Sequence, residues 1–148
     1  MELHEIKTKL VGTWQLVSTE IRQINTQMSE PFFGDDATGY LLYNQDGYMS
    51  AALLFPNQPR SGLIAEWMQS TNLARETSVF YCGRYTIHPG KLIHQIEISS
   101  HPAIYGNQER PFEFIENKLL ISIPIELGGK QVVQNLLWER VDYILSNS

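Results

Sequence analysis

Between Val79 and Ser99 the chain alternates its side chains with a period of two on both sides of a turn signal. A strand shows alternate residues to opposite faces, so this pattern leaves few options. Val79, Tyr81, Gly83, Tyr85 and Ile87 share one face, and Leu92, His94, Ile96 and Ile98 share another. His88-Pro89-Gly90-Lys91 lies between them, with Pro and Gly where a type II turn wants them. A hairpin closed at Pro89-Gly90 sets Tyr85 opposite His94 and Tyr81 opposite Ile98. The two apolar faces then coincide, and Arg84, Thr86, Gln95 and Glu97 fall on the outer face.

The same grammar runs through most of the chain. Residues 3–10 read as a short helix, with Leu3, Ile6 and Leu10 near one face. Thr13 to Ile21 reads as a strand, with Trp14, Leu16 and Ser18 on one side. A long polar connection covers 22–38. Residues 39–44 and 48–55 are strands joined at Asp46-Gly47, a strong hairpin signal. Leu63, Ile64, Trp67 and Met68 have helical spacing, which places an inserted helical segment near residues 63–77. Strands follow at 79–87 and 92–99. After an irregular stretch at 101–110 come strands at 111–115, 119–125 and 131–143.

About eight strands with turns every 8–12 residues or so is the pattern of an all-β sandwich or barrel. Hairpin connections favour up-and-down order, and closure leaves room for one small ligand. The expected fold is one domain over residues 1–148, an antiparallel up-and-down barrel with a short N-terminal helix. With 43% apolar and 18% charged residues, such a chain builds a sizeable core.

Several function classes drop out. A net charge of −5 with scattered basic residues gives no footprint for nucleic acid or an anionic membrane. Cys82 is the only cysteine, so neither an internal disulfide nor a cysteine-rich metal site is available. His4, His88, His94 and His101 lack metal-site spacing, and no motif for a nucleotide or a hydrolase nucleophile occurs. No metal or cofactor is therefore expected. The N-terminus lacks the basic-then-apolar order of a signal peptide, and no apolar run reaches the ~20 residues of a membrane span. The expected location is the cytoplasm.

Leu10-Val11-Gly12-Thr13-Trp14-Gln15-Leu16 resembles the Gly-x-Trp first-strand motif of lipocalins. Thr38 to Tyr43, Asp46 to Ala51, Tyr81 to Tyr85, His94 to Ser99 and Leu137 to Val141 resemble, in order and spacing, the small lipocalin-like domains of bacteria and fungi. The resemblance implies a barrel with an internal cavity. It also implies that Trp14 closes one end, with Arg140 of the last strand packed over it. Members of this group are mostly of unassigned function, and some related barrels act as cyclases or isomerases.

By strand parity the interior is apolar and aromatic, with His94, Tyr81 and Tyr85 as its polar points. A few polar groups in an apolar cavity describe an ordinary ligand site. The expected ligand-binding residues are Tyr43, Met49, Tyr81, Tyr85, His94, Ile96, Ile98, Phe114 and Trp138. Leu119, Ile121, Ile123, Phe112 and Leu136 supply further wall. The leading reading is binding of a small apolar or aromatic metabolite. The alternative is a cofactor-free isomerase or cyclase with His94 and Tyr85 as proton-transfer groups. A purely structural reading makes His94 a buried imidazole hydrogen-bonded to Tyr85. Arg84 and Glu97 form an outer ion pair, or become site residues if the parity is reversed. His101-Pro102 and Glu109-Arg110 contact ligand at a barrel mouth or lie on a solvated loop. A homodimer through a strand edge is a third, weaker option.

Overall fold

A computed structural model describes residues 1–23, 29–31, 36–55, 78–127 and 130–141. The helical segment expected near 63–77 lies outside them. Helix α1 spans Leu3–Leu10. The strands are β1 (Gly12–Gln23), β2 (Ser29–Pro31), β3 (Thr38–Tyr43), β4 (Tyr48–Leu54), β5 (Ser78–His88), β6 (Lys91–Ser99), β7 (Gly106–Ile115), β8 (Lys118–Leu127) and β9 (Lys130–Arg140).

From β3 to β9 each strand pairs antiparallel with the next, and β1 pairs with both β3 and β9. These eight strands close an up-and-down barrel, while β2 adds three pairs to the far end of β1. Closure removes the free edges that an open sheet exposes. The Pro89-Gly90 turn forms as expected, with Gly90 at φ 76°.

Two bulges reset the parity that simple alternation predicts. On β1, Leu16 faces Trp138 but Ser18 faces Leu137, so Val17 is an extra residue. Ser18 therefore turns outward, and Ile21 turns in. On β6, Ile96 faces Gly83 but Ile98 faces Cys82, so Glu97 is extra. Tyr81 consequently pairs with Ser99 instead of Ile98, and Ile98 lies outside with 69% exposure. A bulge puts two residues against one, which reverses the faces beyond it. Gly83 sits at this bulge because any Cβ there would overlap the Gln95 carbonyl oxygen and press on the Glu97 nitrogen at 3.0 Å. Before the bulge the hairpin reading holds, with Tyr85 opposite His94 and Arg84 opposite Gln95. Arg84 and Glu97 pair on the outer face at 3.1 Å.

A third correction concerns 101–110. Its second half is strand, because β7 begins at Gly106 and pairs with β6 from Ile96↔Gly106 to Lys91↔Pro111.

One end of the barrel is packed solid. Trp14 donates its indole N–H to the Leu10 carbonyl at 2.8 Å and lies 6.5 Å from Phe114. Arg140 stacks over the Trp14 ring with Cζ 4.7 Å from its centroid. Its guanidinium donates to the carbonyls of Val11, at 2.7 Å, and Lys9. Gly12 leaves room for it, since a Cβ there would meet the guanidinium. The expected Trp14–Arg140 closure is thus present, tied to the helix C-terminus. Tyr43, Met49, Tyr85 and Leu92 fill the space above this floor.

Candidate functional site

The opposite half of the barrel holds a cavity of about 220 Å³. Its apolar wall is built by Leu41 of β3, Ala51 and Leu53 of β4, Phe55, Val79 of β5, Ile121 and Ile123 of β8, and Leu136 and Trp138 of β9. The polar groups in the wall are Tyr81, His94, His101, Arg110 and Gln134. Small side chains such as Ala51 and Val79 stand here, where the floor carries aromatic rings, and that difference in volume leaves the space.

His94 is the most buried polar residue described, at 1% exposure. Its Nε2 lies 2.7 Å from the Tyr43 hydroxyl, and its Nδ1 lies 3.2 Å from the Tyr81 hydroxyl. The imidazole thus bridges two tyrosines, from β3 and β5. The expected partner, Tyr85, is opposite His94 in the ladder but donates its hydroxyl to the Asn44 carbonyl at 2.6 Å. Tyr85 also packs edge-on against Tyr43, at 5.0 Å between ring centroids.

Donor accounting fixes the direction of this chain. The Tyr43 hydroxyl is buried, and Nε2 of His94 is its hydrogen-bond partner among the described residues. A buried hydroxyl hydrogen needs an acceptor, so Tyr43 donates to Nε2. Nδ1 then carries the imidazole proton and donates to the Tyr81 oxygen. The Tyr81 hydrogen then has no acceptor among the described residues, and Tyr81 lines the cavity.

Burial sets the electrostatics. His94 is pushed from 6.5 down to about 3, first by desolvation and then by the positive charge of Arg110. At neutral pH it is uncharged, which leaves Nε2 able to accept from Tyr43. Desolvation likewise pushes the Tyr43 hydroxyl well above the usual tyrosine range, with nearby Tyr81 raising it and Arg110 lowering it.

Arg110 sits on β7 opposite Leu92, diagonal to His94 on the inner face, because His94 pairs with Gln108. Its neighbour Glu109 points out and pairs with Lys91 at 2.7 Å. Arg110 itself forms no ion pair among the described residues. Its one hydrogen bond there is from Nη1 to the Glu109 carbonyl at 3.0 Å.

Of the expected ligand residues, Tyr81, His94 and Trp138 line the cavity. Tyr43, Met49, Tyr85, Ile96 and Phe114 lie in the packed interior and do not line it, and Ile98 lies outside. Sequence reasoning gave Arg110 to a mouth or a loop, and gave Gln134 no role. The signal for Arg110 was available. It sits two residues before Phe112 and four before Phe114, on their parity.

No helix among the described residues is long and apolar enough to cross a membrane. Among solved structures, the chain is similar to the lipoprotein YedD from Klebsiella pneumoniae subsp. pneumoniae. That match has 12% identity and a TM-score of 0.42, covering 91% of this chain and 74% of that one. It is also similar to the ywiB protein from Bacillus subtilis, at 13% identity and a TM-score of 0.36, over 88% of this chain and 91% of that one. No curated protein matches significantly. The family model described as a lipocalin-like domain matches residues 11–141, and with the closed barrel and the Trp14–Arg140 floor this shows that the chain belongs to the lipocalin-like domain family.

Proposed function

We propose that this protein binds one small, largely apolar molecule inside the barrel. The observation that carries this reading is the cavity of about 220 Å³, walled mainly by aliphatic side chains with a few polar groups at fixed positions. A cavity of about 150 Å³ accepts benzene, so this one suits a molecule of roughly nine heavy atoms. The single free thiol of Cys82 fits a reducing, cytoplasmic setting.

Native mass spectrometry and thermal shift against a panel of small hydrophobic metabolites test the reading. A ligand at a hundred times its Kd adds about 2.7 kcal/mol, which raises Tm by roughly 5–10 °C in a domain of this size. Ala51→Phe fills the cavity from β4 and is expected to abolish the shift while the fold persists. A panel with no binder, or binding untouched by Ala51→Phe, refutes the proposal.

A cofactor-free isomerase or cyclase is the second reading, supported by the Tyr43–His94–Tyr81 chain that ends at the cavity. Against it, His94 held at about 3 takes up no proton near neutral pH, so it is a poor general base. Binding is therefore the better-supported function. Unchanged turnover by His94→Gln on any substrate found would exclude His94 from such chemistry.

A further inference from the structure

The polar groups of the cavity are biased toward donors. The Tyr81 hydroxyl hydrogen has no acceptor among the described residues once Tyr43 has committed to Nε2 of His94. His101 accepts the Ala103 N–H at Nδ1, at 3.1 Å, so its ring proton sits on Nε2. The Trp138 indole N–H is buried with no acceptor among the described residues. Arg110 brings a guanidinium with one N–H engaged by a backbone carbonyl. No carboxylate lines the cavity among the described residues, and Gln134 supplies the one amide.

Arg110 is half-buried and has no counter-charge among the described residues, so its guanidinium meets the cavity with N–H donors to spare. A guanidinium fork matches a planar two-oxygen anion, and such charge-assisted bonds are the strong ones. The tautomer chain matters for the same reason. It anchors Tyr81 through a neutral His94 and frees its hydrogen for an acceptor on the cavity side.

We propose that the bound molecule is an amphipathic anion, a carboxylate with a short apolar body. Its oxygens are held by the Arg110 guanidinium and the Tyr81 hydroxyl, and its body lies among Leu53, Val79, Ile121 and Leu136. This rests on the apolar-cavity reading above and adds the class of ligand to it.

The test is calorimetric titration of the full chain with three probes of matched length: octanoate, octan-1-ol and octylammonium. Octanoate is expected to bind at least tenfold tighter than octan-1-ol, and octylammonium more weakly than either. In Arg110→Gln, octanoate affinity falls to that of octan-1-ol, which itself stays unchanged; Arg110→Lys keeps part of the advantage. If wild-type protein binds octan-1-ol as tightly as octanoate, the anion assignment is overturned while the apolar-cavity reading stands. If none of the three binds, both fall. The wild-type series alone decides the matter should Arg110→Gln not fold.

Discussion

Acid is expected to destabilise this barrel through His94, by an amount that can be worked out. In the folded state burial holds its proton affinity down to about 3, whereas an unfolded chain titrates near the ordinary 6.5. Between those values the unfolded state binds a proton that the folded state does not. Stability therefore rises with pH across this window and is lost as pH falls below 6.5, levelling off near 3. From pH 7 to pH 5 one such group costs about 2 kcal/mol. The assay is urea denaturation of wild type and His94→Gln at both pH values. The other three histidines and every carboxylate are common to both proteins, so they cancel in the difference. Wild type is expected to lose about 2 kcal/mol more than the variant over this range. Equal losses would show that His94 is charged or solvated in the folded protein, and the neutral Tyr43–His94–Tyr81 chain would fall with it.

Five further substitutions probe the frame. Gly83→Ala drives a Cβ into the Gln95 carbonyl at the β5–β6 bulge, and should cost about 3 kcal/mol or more by denaturant midpoint. Arg140→Gln removes the stack on Trp14 and the donations to Lys9 and Val11; a loss of about 1–2 kcal/mol is expected, with a change in Trp14 near-ultraviolet dichroism. Arg84→Ala breaks an ion pair between two exposed side chains and should cost less than about 1 kcal/mol, which a thermal melt in low salt can check. Tyr43→Phe strands the buried Nε2 acceptor and should cost about 1–3 kcal/mol, whereas Tyr81→Phe, at the cavity, should cost less in urea titration.

The frame was legible where local rules and global fold agree. Pro89-Gly90, Asp46-Gly47 and the alternation on either side set the hairpins, and the resemblance to lipocalins placed Trp14 and Arg140 at the floor. Errors in facing trace largely to the two bulges. Alternation carries parity through a strand only while the ladder is unbroken, and nothing in Leu16-Val17-Ser18 or Ile96-Glu97-Ile98 marks an extra residue by composition. Gly83 was the available clue, because a strand glycine often marks a close backbone approach. The start of β7 was missed for a different reason. Asn107-Gln108-Glu109-Arg110 has no apolar residue on either face, so period-two hydrophobicity vanishes there.

That blind spot falls on the residue the site needs most. A wall position chosen for packing alone would be aliphatic, and the alternation would have announced it. Arg110 breaks the pattern, facing inward on the parity of Phe112 and Phe114. Local rules fail first where a residue is chosen for something other than stability. The same logic separates the two halves of the barrel. Below His94 the inward positions are Trp14, Tyr43, Tyr85 and Leu92, which fill space, and the polar atoms of the three rings are taken up by the Leu10 carbonyl, His94 and the Asn44 carbonyl. Above it the inward positions include Ala51 and Val79, which leave space, and Tyr81, while Arg110, opposite Leu92, lines the same cavity with a guanidinium. His94 lies at the boundary with one nitrogen committed to each half, so the hydrogen bond that completes the packed floor also fixes which way Tyr81 presents its proton to the cavity.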